Sequence, residues 1–292
     1  LDVVRATAAL RPEGIEWPRY DDGRPSFKLE HLSAANGLAH AQAHDALSDV
    51  RATIALAALI RNRQPRLWNF CLALRQKQAV LTEIGSDRPF IHVSAMYGAE
   101  RGGMAVVWPL AQHPTNRNEL IVWDLIHDPA ELADLDTEQI RLRLFSKTED
   151  LPEGMTRLPI RSLHINKSPI VIGNLKVLTP AVIERWHIDM ETIARHTETA
   201  RRLTPQLASR MDEVYQRPRP RGPAPDVDGD LYGGFIGNDD RRRLDDWRER
   251  LDATASQAAA SPETDRSHIQ IPSFEDPRLE EMSFRYRARQ FP

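Results

Sequence analysis

The sequence has 292 residues, of which 41% are hydrophobic and 28% are charged, and a formal net charge of -3 at pH 7. This length is enough for about two domains of roughly 150 residues, and the composition is typical of a globular protein. The small negative charge excludes a uniformly basic chain, so any basic surface for nucleic acid must be local. A single cysteine, Cys71, excludes an internal disulfide and favours a cytoplasmic location. No apolar run approaches the ~20 residues of a membrane span, so we expect no membrane partner and no signal peptide.

The first part of the chain is predicted to be helical. Apolar residues indicate the end of a helix over 1–10, Pro and Gly punctuate a loop over 11–23, and a short helix lies within 26–37. A long helix is predicted from about 45 to 62. Because the chain begins with Leu1 inside an apparent helix, we expect it to be an internal piece of a longer protein.

The start of the long helix carries three titratable residues, His44, Asp45 and Asp49. Asp45 and Asp49 share a helical face, whereas His44 can approach Asp49 only if it lies at or before the helix start. A His-x-x-x-x-Asp spacing at a helix entrance is one way to place a general base beside a metal-bound water. Spacing alone favours a simpler structure, with Asp45 as N-cap, Asp49 as a first-turn acid and His44 on the surface.

Behind these residues, the long helix is apolar on two faces. One stripe consists of Leu47, Val50, Ile54 and Ala58, and a second, beneath Asp49, consists of Thr53, Leu56 and Ile60. Two apolar faces predict a largely buried helix. Asp49 would then lie at the solvated end of a buried element, where functional acids often occur.

The histidines allow a second kind of site, the His-Asp metal dyad of helical phosphohydrolases. It would use His44 and Asp45 together with His31 or His40 and a distant aspartate. Such a site requires an all-helical continuation of the chain. The strand-like sequence after residue 88 argues against it.

The middle of the chain changes from helix-forming to strand-forming sequence. After a break at Gln64-Pro65, one helix is predicted over about 66–84. Short β-branched and aromatic runs then predict strands of a small β-barrel or sandwich. These runs lie at 89–94, 104–109, 120–124, 158–165 and 169–172. A helix at 137–146 is predicted between them, with Asp136 as N-cap and Gln139 at the capping-box position.

The remainder of the chain is predicted to be helical, with one interruption. Thr-Pro pairs open two of the helices, because Thr is a good N-cap and Pro suits the first turn. The predicted helices cover 180–187, 190–202, 205–216, about 239–258, and a last segment from Pro277. The proline-rich run at 217–225 is predicted to be an interdomain linker.

Three turns combine amide or basic residues with aromatics, as in proteins that bind single-stranded nucleic acid. They lie at 116–118, 164–169 and 230–235. Base stacking on aromatic rings, with Lys, Arg and Asn contacting phosphates, holds single strands without reading their sequence. Each of these features alone is more often a turn or a core aromatic.

Six motifs, taken in order, resemble the bacterial exodeoxyribonuclease I family over essentially the whole chain. They are Arg-Pro-Glu-Gly-Ile (11–15), Pro-Ser-Phe-Lys-Leu-Glu-His-Leu (25–32), Ala-His-Asp-Ala-x-x-Asp-Val (43–50), His-Pro-x-Asn-Arg-Asn (113–118), His-Ile-Asn-Lys-x-Pro (164–169) and Phe-x-Tyr-Arg-Ala-Arg (284–289). The resemblance implies a histidine-type DEDD exonuclease, which degrades single-stranded DNA from the 3′ end to nucleoside 5′-monophosphates with Mg²⁺, in DNA repair and recombination.

The resemblance also implies an α+β multidomain fold. Residues 1–64 would be the C-terminal part of a ribonuclease H-like exonuclease domain. Residues 65–216 would form an SH3-like β domain with flanking helices, and residues 226–292 would begin a helical C-terminal domain after the linker at 217–225.

The family's functional residues map onto the quoted motifs. Asp49 corresponds to a metal-binding acid and His44 to the general base that acts on the attacking water. The implied strand-contacting residues are Arg5, Lys28 (where the family commonly has Arg), Lys77, Asn118, Phe145, Asn166, Tyr232 and Phe235. The family also binds the acidic C-terminal tail of the single-stranded-DNA-binding protein, for which the implied counterparts here are Arg11, Phe70, Arg88 and Arg201. We expect a monomer.

The most serious departure of the sequence from the family concerns the metal site. The Asp-x-Glu of the first nuclease strand and a second Asp of the metal site are not found before Asp49. One acid and one histidine cannot hold two Mg²⁺ ions in their usual oxygen shells, so we expect the remaining ligands to lie outside this chain. The chain by itself is therefore expected to bind DNA weakly without catalysis. The alternative is a non-catalytic module that binds single-stranded DNA or a protein.

Overall fold

The computed structural model describes residues 1–38, 46–216, 226–230, 233–260 and 270–290. The chain forms two compact units, Leu1–Arg219 and Pro220–Pro292. Within the described ranges, no helix has both the length and the apolar character needed to cross a bilayer.

The first unit begins with helices α1 (Asp2–Leu10), α2 (Leu29–Ala35) and α3 (Ala46–Arg63). These helices and the loop between α1 and α2 enclose a small apolar core of their own. Its buried members are Val4, Ile15, Leu32, Leu56 and Ile60, with Phe27, Leu29 and Trp68 packed around them. The predicted helices over 1–10, 26–37 and 45–62 are confirmed within a few residues at their ends.

The predicted burial of α3 is wrong for one of its two apolar stripes. Leu47, Val50 and Ile54 are 56%, 54% and 62% exposed. The helix instead buries the stripe beneath Asp49, through Leu56 and Ile60, because α2 and α4 pack against that face alone. One face of α3 is therefore apolar and open to solvent.

The segment after α3 consists of two helices rather than the one predicted over 66–84. Helix α4 (Pro65–Ala73) starts with Pro in its first turn, and α5 (Lys77–Ile84) follows it. A tight turn separates them, in which the N–H groups of Arg75 and Gln76 bond back to the carbonyls three residues earlier. Lys77 consequently lies at the first position of a helix.

A five-stranded antiparallel sheet follows, with the order β4-β3-β2-β1-β5. The strands are β1 (Phe90–Val93), β2 (Met104–Gln112), β3 (Glu119–Asp124), β4 (Ile160–His164) and β5 (Ile170–Ile172). The register of β2 against β3 shifts between Pro109 and Ala111, where proline cannot donate a ladder hydrogen bond. All five predicted strands are confirmed, and they form an open sheet that helices cover.

Helices α6 (Thr137–Phe145), α7 (Pro180–Trp186) and α8 (Met190–Gln216) complete the first unit. The predicted capping box is confirmed, because Asp136 accepts from the Gln139 N–H at 2.8 Å and the Gln139 side chain accepts from the Asp136 N–H at 2.9 Å.

The prediction of two helices over 190–202 and 205–216 is wrong, since α8 runs through Pro205 without interruption. The Thr204 hydroxyl donates to the carbonyl of Ala200 at 2.8 Å and accepts from the buried indole of Trp108 at 2.7 Å. This contact, together with a continuous buried apolar face, keeps the helix continuous across the proline.

The second unit contains α9 (Asn238–Ala260) and α10 (Arg278–Gln290). Trp247, Leu251 and Leu279 are buried between them. The buried carboxylate of Asp240 accepts from the N–H groups of Glu275 and Asp276, at 3.0 and 2.8 Å. These bonds attach the segment before α10 to the start of α9. The predicted linker at 217–225 lies outside the described residues.

Candidate nucleic-acid interface

The predicted catalytic pair is described by the structure only in part. Asp49 lies half-buried in the first turn of α3, and its carbonyl accepts from the Thr53 hydroxyl at 2.8 Å. His44 and Asp45 lie outside the described residues, so the geometry of His44 relative to Asp49 stays a prediction.

The metal-binding capacity of the described residues is limited. Within the described ranges, no group of three or more His, Cys, Asp or Glu residues is close enough to hold a metal ion. Asp49 can supply one oxygen ligand, but the described residues do not fit a complete divalent-metal site.

A cleft of about 810 Å³ lies beside α3, and we call it the α3 cleft. Arg5 and Lys28 line it together with Thr53, which is one helical turn from Asp49. The guanidinium of Arg5 lies 5.8 Å from the centre of the Phe27 ring and 2.7 Å from Asp2, while Lys28 Nζ is 3.8 Å from Glu30. Two predicted strand contacts thus share one surface with the helix that carries the predicted metal ligand.

A second group of predicted contacts comes together at the edge of the sheet. Lys77 Nζ donates to Asn118 Oδ1 at 2.7 Å, although 41 residues separate them. The carbonyl of Asn118 accepts from the N–H of Ile165 at 2.9 Å, and exposed Asn166 is the next residue. We call Lys77, Asn118 and Asn166 the Lys77 cluster; it joins α5 to two turns that the sequence suggested separately.

An ionised carboxylate lies next to this cluster. Partial burial acts to raise the pKa of Glu119, but hydrogen bonds from Ser162 and Asn116 and the nearby His113 and His164 hold it below its usual value. The Asn116 amide donates to Glu119 at 3.1 Å. Glu119 therefore remains negative at neutral pH and orders the amide-rich turn through hydrogen bonds.

Phe145 is half-buried in a cluster of aromatic rings rather than projecting from the surface. Its ring centre is 5.5 Å from that of Tyr215, which in turn is 4.8 Å from His113. The Arg141 guanidinium lies 5.5 Å above the Phe145 ring. Sequence analysis missed Tyr215 and Arg141, because only the fold brings the end of α8 next to α6.

Of the two aromatic residues predicted to bind DNA in the second unit, the structure describes Phe235. Its side chain is fully exposed, with a relative accessibility of 103%. Tyr232 lies outside the described residues. An exposed phenylalanine between flexible glycines is the kind of group on which a base can stack.

Two arginines within the last motif, Arg285 and Arg289, are bound to acids of their own unit. Arg285 bonds to Asp226 at 2.6 Å and to Asp228 at 3.0 Å, and Arg289 bonds to Asp228 at 2.8 Å. Hydrogen bonds from Arg285 lower the pKa of both aspartates. The basic residues of this helix are thus partly neutralised.

Two of the four residues predicted to bind the acidic tail line one cleft of about 730 Å³. Arg11 and Phe70 line it together with Arg66 and Asn174, and we call it the Arg11 cleft. Sequence analysis missed Arg66 and Asn174, which carry no motif signal.

The other two predicted tail contacts, Arg88 and Arg201, lie near each other, because Arg201 pairs with the neighbour of Arg88 in sequence, Asp87. Arg88 donates to the carbonyls of Thr82 and Glu83 at 2.9 and 3.0 Å, and Glu83 lines the Arg11 cleft. Arg201 is 3.5 Å from Asp87 and lies 5.4 Å above the Trp108 ring.

The part of the first unit that contains the sheet and the helical second unit correspond to two known domain types, both of them domains of exonucleases. Residues 75–217 match the exonuclease I SH3-like domain, and residues 225–292 match the exonuclease I C-terminal domain. The chain belongs to the exonuclease I family, and the resemblance seen in the sequence is confirmed.

Relatives with established names support this assignment along the whole chain. The exodeoxyribonuclease I of Escherichia coli (strain K12) is 40% identical and that of Haemophilus influenzae is 37% identical, each over 100% of this chain. The chain spans about 59% of the length of each of these relatives.

Solved structures agree with the sequence relatives. A moderately thermophilic exonuclease I from Methylocaldum szegediense has 42% identity and a TM-score of 0.75, covering 100% of this chain and 58% of its own. E. coli exonuclease I in complex with a dA16 oligonucleotide has 39% identity and a TM-score of 0.77, covering 100% and 60%. A structure of SSB/exonuclease I with the inhibitor CFAM has 36% identity and a TM-score of 0.74, covering 100% and 58%.

Proposed function

We propose that this chain is part of a 3′→5′ exodeoxyribonuclease that degrades single-stranded DNA to nucleoside 5′-monophosphates in DNA repair and recombination. One observation carries the proposal: Arg5 and Lys28 line the same cleft as the face of α3 that bears Asp49. Cations that bind a DNA backbone are thereby placed beside an acid that can bind a metal ion. The E. coli relative, crystallised with DNA oligonucleotides, supports the choice of substrate.

In this proposal, Asp49 supplies one carboxylate ligand to Mg²⁺ and His44 acts as general base toward the attacking water. The bound metal would polarise the phosphodiester and activate the water. The described residues provide one such carboxylate at the α3 cleft, so the other ligands must come from elsewhere in the whole protein. Arg5 and Lys28 would hold the phosphates of the strand next to Asp49.

The remaining strand contacts divide into two groups. The Lys77 cluster offers one ammonium and two amides to the backbone, and Phe145 contributes an aromatic surface in the same unit. In the second unit, Phe235 and Tyr232 would stack on bases. Such contacts are tolerant of sequence, as degradation of arbitrary strands requires.

We propose the domain division 1–64, 65–216 and 226–292, with residues 1–64 as the C-terminal part of a ribonuclease H-like domain. The separate core of the first helices supports this, because most of its residues precede residue 64. The exposed stripe Leu47, Val50 and Ile54 also fits, since a helix of such a domain would pack on a sheet through an apolar face.

We further propose that the Arg11 cleft binds the acidic C-terminal tail of a single-stranded-DNA-binding protein, with the protein acting as a monomer in the cytoplasm. The cleft combines a cation, Arg11, with the apolar ring of Phe70, which suits a peptide with acidic and apolar side chains. Arg88 and Arg201 would contact the same partner. The structure of the related SSB/exonuclease I pair supports a partner of this kind.

The test of the proposed function uses Asp49→Ala in the full-length protein, with Asp21→Ala in an exposed loop as control. We expect Asp49→Ala to abolish Mg²⁺-dependent release of nucleoside 5′-monophosphates from a single-stranded oligonucleotide while strand affinity changes little. Normal turnover in this variant would remove Asp49 from the metal site. Nucleotide release by the purified 292-residue chain alone would contradict the expectation that its metal site is incomplete.

The gene sequence upstream of Leu1 distinguishes the nuclease from the competing function, a binding module without catalysis. An Asp-x-Glu on a predicted strand upstream of Leu1 favours the nuclease. Binding of single strands by a full-length protein that lacks this motif and releases no nucleotide would favour the module.

A further inference from the structure

We propose that Arg278, at the start of α10, is a positioning residue that holds the backbone of Phe235 in the place from which its ring stacks on a DNA base. The inference deepens the proposed function and rests on it, because it takes Phe235 as a strand contact. Arg278 belongs to no motif that the sequence analysis singled out.

The guanidinium of Arg278 bridges two points of the turn that carries Phe235. Nη1 donates to the carbonyl of Asp230 and Nη2 to the carbonyl of Gly234, both at 3.1 Å. Nη1 also lies 3.5 Å from the Asp230 carboxylate. One planar side chain thereby fixes the separation of residues 230 and 234, immediately before Phe235.

Arg278 is itself held in place by its neighbour Asp276. The Asp276 carboxylate accepts from Nε at 3.0 Å and from Nη2 at 2.7 Å, a bidentate pair that fixes the plane of the guanidinium. Asp276 is in turn tied through its N–H to the buried Asp240 of α9 at 2.8 Å. The turn is therefore connected to the helices by a continuous chain of hydrogen bonds.

The turn is shaped to bring backbone close to these groups. A Cβ atom at Gly233 would lie 2.0 Å from the Asp230 carboxylate, so a larger residue there would displace that carboxylate from its place beside Arg278. The side chain of Phe235 is fully exposed, with a relative accessibility of 103%. Its ring is therefore positioned through the backbone that Arg278 restrains, while rotation about its side-chain bonds stays free.

Restraint of this kind matters for affinity. A ring whose backbone is held in place before binding loses less conformational freedom when the base arrives. Base–aromatic stacking contributes roughly 1–3 kcal/mol per base, equivalent to about 5- to 150-fold in affinity. If Arg278 acts through Phe235, its loss removes part or all of that contribution and nothing beyond it.

The experiment is a double-mutant cycle on the 292-residue chain, read by fluorescence anisotropy with a labelled oligothymidine. We expect Phe235→Ala to weaken binding by roughly 10-fold, Arg278→Gln by a similar factor, and the double variant by no more than the larger single effect. Arg250→Gln, which removes an exposed arginine that bonds to a carbonyl of its own helix, is the charge-matched control and should stay within about twofold.

Two further variants separate positioning from charge and from general damage. Arg278→Lys keeps the charge but cannot span two carbonyls and a carboxylate, so it should not restore affinity, whereas a phosphate contact would be restored. Gly233→Ala perturbs the same turn without touching α10 and should weaken binding as Arg278→Gln does. If circular dichroism shows that Arg278→Gln fails to fold, Gly233→Ala still tests the restraint of this turn.

The outcomes are distinguishable. If Phe235→Ala binds as well as wild type, the proposed strand contact at Phe235 is wrong, and the positioning role fails with it. If Phe235→Ala weakens binding but Arg278→Gln and Gly233→Ala do not, or if the effects of Phe235→Ala and Arg278→Gln multiply, the strand contact stands and the positioning role of Arg278 is overturned.

Discussion

Individual side chains of the first unit show where a chain of negative net charge carries the local groups that the proposed strand binding requires. Lys77 and Asn118 show the principle: the ammonium donates to the amide oxygen at 2.7 Å, which leaves the amide nitrogen side to donate to a phosphate or base. The basic character needed for DNA is thus local and is combined with neutral amides. Bulk charge could not reveal it.

The Lys77 cluster gives a first prediction. Lys77→Ala removes one cation from the proposed strand path, so affinity for oligothymidine should fall several-fold and the slope of log Kd against log salt should decrease by roughly 0.7. Fluorescence anisotropy over a salt series measures both. Lys176→Ala, which removes an exposed lysine at the helical turn near residue 176, should change neither. An unchanged salt slope in Lys77→Ala would show that this ammonium does not meet a phosphate.

The buried His92 gives a second prediction at this scale, about pH. Its Nδ1 is 3.0 Å from the Tyr97 hydroxyl, and burial lowers its pKa to about 4. The unfolded chain binds this proton near its ordinary pKa of about 6.5. The contribution of neutral His92 to the free energy of unfolding is therefore fully present above pH 6.5. It is lost as the pH falls from there toward 4.

Urea unfolding at several pH values between about 7 and 4 will measure this dependence. In His92→Asn, which cannot titrate at this position, the free energy of unfolding should fall less steeply with falling pH, by up to about 1.4 kcal/mol per pH unit. The exposed His127→Asn should leave it unchanged. Identical slopes for wild type and His92→Asn would mean that His92 does not hold its neutral form in the folded protein.

At the scale of helices and strands, local signals in the sequence succeeded where local chemistry decides the structure. The capping box at Asp136 and Gln139 and the first-turn proline of α7 are short-range features, and both are confirmed. The wrong predictions at α4–α5 and at α8 arise where local sequence signals do not decide the structure. A three-residue turn without Gly or Pro splits one predicted helix, and tertiary packing carries another across Pro205.

Helix α8 gives the prediction that tests this explanation. Thr204→Val removes the acceptor for the indole N–H of Trp108, which is fully buried, so the free energy of unfolding should fall by about 1–3 kcal/mol. Thr204→Ser keeps the hydroxyl and should lie much closer to wild type. Urea unfolding monitored by tryptophan fluorescence makes the comparison. An unchanged free energy of unfolding in Thr204→Val would show that the hydrogen bond from Trp108 does not stabilise this region.

For the molecule as a whole, the family and its domain types could be predicted from the order of six motifs, but the arrangement of the predicted site residues could not. Arg5, Lys28 and Asp49 belong to three different helices or their flanks, and only folding brings Arg5 and Lys28 into one cleft beside the helix that carries Asp49. The same holds for Arg11 and Phe70 in the Arg11 cleft. Tyr215 and Arg278 were missed because their roles exist only through contacts across the fold.

The open face of α3 leads to the last prediction, which concerns the part of the relatives that this chain does not span. Ile54 is 62% exposed, so Ile54→Lys should change the unfolding free energy of the 292-residue chain by no more than about 0.5 kcal/mol. Leu56, two residues further, is 4% exposed, and Leu56→Ala should cost about 2–5 kcal/mol in the same chain.

In the full-length protein, the exposed stripe is proposed to pack within the nuclease domain, where burying a lysine is costly. Ile54→Lys should there destabilise the protein and abolish nuclease activity, while Arg61→Ala, an exposed change on the same helix, should leave both intact. Urea unfolding and nucleotide release from a single-stranded oligonucleotide measure the two effects. A full-length Ile54→Lys protein with normal stability and activity would show that this face of α3 stays solvated, because a packed apolar face cannot accept the charge without loss.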